Sequence, residues 1–193
     1  MHAIKTHISR AEFLCFDEVS PAKHEFYRGE IFAMAGGTFG HAKIGINITS
    51  YLHTLLRGNP CQPMNSDMRI STPSGLDTYP DVSVYYHAPE LTDNDRTLLN
   101  PVLITEVLSP STRSYDRCDK FMHYRSIPGL RDYVLVESES VFVENYHRVG
   151  QNEWHLYEYQ QLSDVLDFSF MGQKLEIARF YEGLGFVQEF RGA

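Results

Sequence analysis

Residues 102–109 read VLITEVLS. Val102, Leu103, Ile104, Val107 and Leu108 make a nearly unbroken apolar run of strand length, the pattern of a strand covered on both faces. Such a strand belongs in the middle of a layered domain. Glu106 lies inside the run, where an ionised carboxylate costs several kcal/mol unless something compensates it. The strand alone leaves several compensations open: solvent at the strand end, a structural arginine, or a bound cation.

The flanking sequence supplies the other layers. Ser9–Phe16 reads as a short helix ending near Pro21. HEFY and EIFAM, joined at Arg28–Gly29, read as a hairpin closed by Gly36–Gly37. Ile44, Ile48, Tyr51, Leu52 and Leu55 follow helical spacing from about Thr38 to Arg57, before Gly58 and Pro60. SDMRIS and YPDVSVYY are strand candidates, and PELTDNDRTLLNP reads as a polar loop. After the strand at 102–108, SPSTRS offers N-cap residues for a helix of about twelve residues. RDYVLVES is a further strand, SVFVENYHR and EWHLYEYQQ a closing hairpin, LDFSF a strand and EIARFYEGL a short helix. From residue 38 the order is helix–strand–strand–strand–helix–strand. The expected fold is therefore α/β, with a central mixed sheet, flanking helices, and hairpins added at the N- and C-terminal sides.

At 193 residues the chain has room for one domain with a substantial core, expected to span 1–193. Its three cysteines form no C-x-x-C pair, which points to a reducing compartment and away from a thiolate zinc site. MHAIKTHISR lacks a signal-like apolar core, and no run approaches the ~20 apolar residues of a membrane span, so a cytoplasmic protein without membrane partners is expected. The net charge of −8 argues against a broadly basic nucleic-acid binder, so a nucleic-acid role must rest on a local site or on metal ions.

Two acidic residues lie on strand candidates. Asp81 follows Pro80 at the start of YPDVSVYY, and Glu106 lies near the end of its strand. Strands about 4.8 Å apart place carboxylates at matching heights within reach of one Mg²⁺, an ion that commonly takes one or two carboxylates and keeps several waters. Asp after Pro is also an ordinary turn element. Lys120, fourteen residues after Glu106, is a third candidate, with a surface i,i+4 pair to Asp116 as its alternative. The helical wheel does not choose between them. His41 opens the long helix on its apolar side, as a core or capping histidine also would. Glu30 follows Gly29, where a turn-edge charge is common. There is no H-E-x-x-H, G-x-S-x-G, Walker or dinucleotide motif.

Taken together, YRGEIFAMAGGTFGH, YPDVSVYY and PVLITEVLSPSTRSYDRCDKFMHYRSIPGLRDYVLV resemble the Uma-type putative restriction endonuclease family, abundant in cyanobacteria and part of the PD-(D/E)XK nuclease superfamily. The similarity runs over roughly residues 24–180. Its most specific part is EVLSPST followed by Asp116, Arg117, Lys120 and Tyr124, then PGLRDYVLV. The resemblance implies a restriction-endonuclease-like core and metal-dependent hydrolysis of DNA phosphodiester bonds. Asp81 matches the PD motif and Glu106 the (D/E) of (D/E)XK. With the backbone carbonyl of Val107 they would hold Mg²⁺, with Mn²⁺ as an alternative. Leu108 stands where the motif's lysine is expected, and Lys120 is the matching position on the following helix. Glu30 and His41 also match family positions. DNA as partner and a homodimer are further expectations. The competing reading is a catalytically inactive relative that binds nucleic acid or another partner, favoured by the displaced lysine and the acidic charge.

Overall fold

A computed structural model describes residues 3–34 and 36–186 of the chain. In order, the elements are β1 (Ala3–Lys5), α1 (Arg10–Val19), β2 (His24–Tyr27), β3 (Glu30–Ala33), α2 (Phe39–Leu55), β4 (Cys61–Asn65), β5 (Arg69–Ser71), β6 (Leu76–Thr78), β7 (Val82–Tyr86), β8 (Leu91–Thr92), β9 (Thr97–Leu98) and β10 (Pro101–Leu108). There follow α3 (Arg113–Tyr115), a π turn (Asp116–Lys120), α4 (Phe121–Tyr124), β11 (Asp132–Glu137), β12 (Val143–Arg148), β13 (Trp154–Tyr159), β14 (Val165–Phe168), a 3₁₀ turn (Ser169–Met171), β15 (Gln173–Glu176) and α5 (Ile177–Phe180).

The strand containing Glu106 is central. One six-stranded sheet runs β13-β12-β11-β10-β7-β4, with β10 parallel to β11 and antiparallel to β7. Side-chain alternation gives this sheet two apolar faces. Leu103 and Val107 join the cluster with Ile44, Ile48 and Leu52 of α2, while Ile104 and Leu108 join Tyr124, Tyr133 and Leu135 on the other face. The order α2, β4, β7, β10, α3–α4, β11 has the expected helix–strand–strand–strand–helix–strand sequence, but SDMRIS, expected as its first strand, instead supplies β5 of another sheet and β4 takes its place. Among the described residues no helix is long and apolar enough to cross a membrane.

Three features differ from the sequence expectation. A second, seven-stranded sheet, β1-β3-β2-β6-β5-β9-β8, accompanies the first, so the N-terminal hairpin is part of a large layer. The segment read as a polar loop contributes β8 and β9 to it, too short for period-two patterning to register. The first core strand is β4, CQPMN, whose proline and polar residues hide a strand. Pro63 is tolerated because β4 is an edge.

Local chemistry explains the elements that frame the site. Ser9 and Glu12 form a reciprocal capping box for α1, and Thr38 caps α2 by accepting from the His41 amide. The β2–β3 turn has positive φ at both Arg28 and Gly29 (48° and 86°), the type I′ geometry that matches strand twist.

Candidate metal and catalytic site

The β7–β10 register pairs Thr105 with Val82. Carried one residue further, it sets Asp81 opposite Glu106. By alternation both lie on the face of Ile104 and Leu108, beneath the α3–α4 segment. The Asp81 carboxylate accepts from the Val107 amide at 2.7 Å through Oδ2, and the same oxygen lies 3.3 Å from His41 Nε2. His41 reaches this rim from the start of α2. Gly37 makes room for its ring: a Cβ there would lie 2.6 Å from Nδ1. The hydrogen bond to Asp81 is the main reason the His41 pKa is raised, with the Asp81, Glu106 and Asp116 charges adding to it.

Behind that rim the site is buried. Glu106 Oε1 accepts from Lys120 Nζ at 3.0 Å and from the Tyr124 hydroxyl at 2.7 Å. Lys120 Nζ also lies 3.1 Å from Glu25 Oε1 and 3.5 Å from Asp116 Oδ1. Glu25, on β2 of the other sheet, is held by the Thr78 hydroxyl at 2.6 Å and the Tyr115 hydroxyl at 2.9 Å. The side chains of Glu106 and Lys120 are 5% and 6% exposed, against 20% and 21% for Asp81 and His41. The cluster therefore meets solvent on the Asp81–His41 side.

The charges do not balance. Three buried carboxylates, Glu25, Glu106 and Asp116, share one ammonium. Burial pushes the Glu106 carboxyl up to about 8, and the Asp81 and Asp116 charges outweigh part of the relief from Lys120. Burial likewise raises Asp116. Burial also opposes ionisation of Glu25, but Lys120 and the Thr78 and Tyr115 hydroxyls overcome it and leave its pKa below the usual value. Lys120 stays protonated against its own burial because Glu106 and Glu25 hold it well above the ordinary range.

The π turn accounts for the ambiguous helical wheel. A π turn bonds i to i+5 and advances each residue less than the α-helix does. Asp116 and Lys120 therefore turn inward together, so the i,i+4 pair and the site lysine are both present. The remaining candidates separate. Asp81, Glu106, Lys120 and His41 come together, and the Val107 amide fixes Asp81. Glu30 is exposed and pairs with Tyr27 at the turn end of the hairpin, on the same sheet face as Glu25 but without a hydrogen bond into the cluster. Glu25, Asp116, Tyr115 and Tyr124 are members that the sequence reading did not single out as site residues. Glu25 carried a usable signal: like Glu106, it is a carboxylate inside an apolar strand, HEFY.

One oxygen of each rim carboxylate is already used: Oδ2 of Asp81 and Oε1 of Glu106. Among the described residues, Asp81 Oδ1 and Glu106 Oε2 accept no hydrogen bond. No group of three or more His, Cys, Asp or Glu side chains is arranged as a metal cage among the described residues. Two carboxylates with free oxygens, in a cluster with more carboxylates than cations, fit a hard divalent ion that keeps most of its waters and do not fit a zinc cage.

Comparison with known proteins gives this geometry a context. A family model described as Uma2, putative restriction endonuclease, matches residues 10–178. The uncharacterized protein slr1290 of Synechocystis sp. is 37% identical over 180 residues, covering 93% of this chain and 94% of its own. A second uncharacterized Synechocystis protein, sll1609, is 36% identical over 85% of this chain and 94% of its own. In fold, the chain resembles the crystal structure of a putative nuclease belonging to DUF820 from Anabaena variabilis, with a TM-score of 0.73 at 17% identity, covering 90% of this chain and 97% of that one.

Proposed function

The chain belongs to the Uma2 family of putative restriction endonucleases, and from that premise we propose that it is a Mg²⁺-dependent DNA endonuclease acting at Asp81, Glu106 and Lys120. The observation that carries this reading is the pair of free carboxylate oxygens on neighbouring strands, in a cluster with one cation for three buried carboxylates. Asp81, Glu106 and the Val107 carbonyl would hold Mg²⁺. When bound, the ion supplies charge neutralisation at a phosphate and a lowered pKa for water.

The chain's own groups do the rest. The Val107 amide and His41 fix one oxygen of Asp81, so the other keeps its direction. Tyr124 does the same for Glu106. Lys120, held protonated by Glu25 and Asp116 as well as Glu106, would keep its charge with Glu106 also holding a cation. It then orients the attacking water or stabilises charge developing on the phosphate. This explains why Leu108 can occupy the usual lysine position: the ammonium arrives from the helix instead.

The test is cleavage of plasmid DNA in Mg²⁺ or Mn²⁺ by wild type, Asp81→Asn and Glu106→Gln. Metal-dependent nicking by wild type and at least about 100-fold less by either variant is expected. Nicking that survives both substitutions removes the site. DNA binding without cleavage by wild type, across varied substrates and both metals, would support the non-catalytic reading.

A further inference from the structure

Lys120 and Tyr124 belong to the α3–α4 segment, whose far end opens on a different kind of pocket. Arg125, Ser126, Arg131, Arg148, Gln151 and Asn152 line a concavity of about 450 Å³ that has no carboxylate among its lining residues. This is unusual in a chain with a net charge of −8. The arginines at 10, 69, 96, 113, 117 and 179 pair with carboxylates, whereas Arg28, Arg57, Arg125, Arg131 and Arg148 pair with none among the described residues, and the last three of these share one pocket.

One arginine of the pocket is tied down by hydrogen bonds. Arg148 donates to the carbonyls of Leu130 (2.8 Å), Gln151 (2.9 Å), Arg125 (2.6 Å) and Ile127 (3.1 Å), and its guanidinium lies 4.3 Å from the Trp154 ring centroid. It thereby ties the end of α4 to the β12–β13 hairpin and satisfies four carbonyl acceptors. Arg125 and Arg131 are left exposed on either side of this clamp. Alternation along β11 and β12 puts Arg131 and Arg148 on the same sheet face as Tyr133 and Tyr146, and so on the face that carries Glu106.

Building on the nuclease reading, we propose that this pocket is a phosphate-binding site for the nucleic-acid backbone, with Arg125 and Arg131 as its phosphate contacts and Arg148 as the clamp that positions them. Guanidinium groups match phosphate oxygens in geometry and charge. The register that pairs Glu106 with Leu135 places Arg131 four residues away, roughly 13 Å along the strands. The pocket therefore lies at the other end of the α3–α4 segment from the acidic cluster. An acidic protein thereby obtains a local basic anchor.

The test measures binding of a labelled DNA duplex by anisotropy in EDTA, where cleavage plays no part, over a series of salt concentrations. Arg125→Ala/Arg131→Ala is expected to weaken binding at least tenfold and to lower the slope of log affinity against log salt by about 2, one for each phosphate left without its guanidinium. Arg125→Lys/Arg131→Lys should restore most of the slope, with unchanged circular dichroism in both variants. Equal affinity and slope in wild type and the alanine variant, or no duplex binding by wild type, overturns the assignment. Inorganic phosphate is titrated in parallel. Saturable phosphate binding that the alanine variant loses, without duplex binding, reassigns the pocket to a small phosphate. Asp81→Asn separates this proposal from the nuclease reading, since it should abolish cleavage while Arg125→Ala/Arg131→Ala still weakens metal-free duplex binding in its background.

Discussion

The α3–α4 segment joins two regions that are out of balance in opposite senses. At its start, Lys120 alone faces Glu25, Glu106 and Asp116, all buried. At its end, Arg125, Arg131 and Arg148 surround a pocket with no carboxylate in its lining. Other charges are settled internally, as where Arg10 grips Asp77 and Asp93 or Arg117 meets Glu144. An internally settled pair needs nothing from outside and serves the fold. A buried excess of carboxylates is costly until a cation arrives, and an exposed basic pocket stands open to an anion. Mg²⁺ and a phosphodiester backbone are such a pair.

The largest effects come from breaking the acidic side. Lys120→Met removes the cation shared by three buried carboxylates. It should cost about 3–5 kcal/mol in stability, measured by urea unfolding above pH 8 where Glu106 is ionised, and abolish cleavage. A loss below about 1 kcal/mol would show that the carboxylates already stand protonated or hydrated without it.

The pH dependence sharpens the same point. The Glu106 carboxyl is raised from 4.5 to about 8. Between those values the folded protein holds a proton that the unfolded chain has released, so its contribution to stability is complete below about 4.5 and falls as pH rises toward 8. Without metal, Glu106→Gln should therefore gain stability relative to wild type as pH is raised from 5 to 8, read from thermal melting. Mg²⁺ should narrow the gap at pH 8 by stabilising wild type. Parallel pH profiles for the two proteins would contradict this.

Smaller effects test how the rim carboxylates are held. Tyr124→Phe removes one hydrogen bond to Glu106. It should cost about 1–2 kcal/mol and roughly tenfold in metal affinity, the size expected for a group that orients a ligand. Gly37→Ala forces the His41 ring from its place beside Asp81. Its effect on cleavage should match that of His41→Ala, and the double variant should be no worse than either single one, because both remove the same interaction.

Much of this was legible in the sequence, and the rest was hidden for identifiable reasons. The VLITEVLS pattern placed Glu106 in a central strand, and the apolar spacing of Ile44, Ile48 and Leu52 placed α2 against the same sheet. The core order and the hairpins followed from runs long enough to show their period. The edge strand β4 was missed because an edge does not need an apolar alternation, and β8 and β9 because two residues have no period. Lys120 was undecided because helical spacing assumes 3.6 residues per turn, and the π turn departs from that where it matters. Glu25 shows in the sequence only as a carboxylate within a strand, and Arg131 not at all, because their roles depend on contacts across sheets and loops. Only the fold puts Glu25 against Lys120, or three arginines around one cavity.

The most direct measurement is calorimetric titration of Mn²⁺ at pH 8 into wild type, Asp81→Asn, Glu106→Gln and Arg125→Ala/Arg131→Ala, repeated at pH 6. One ion should bind wild type and the arginine variant alike, more weakly at pH 6 where Glu106 retains its proton, and binding should be lost in Asp81→Asn and Glu106→Gln. Equal Mn²⁺ binding by wild type and both carboxylate variants would contradict the assignment of Asp81 and Glu106 as the metal site.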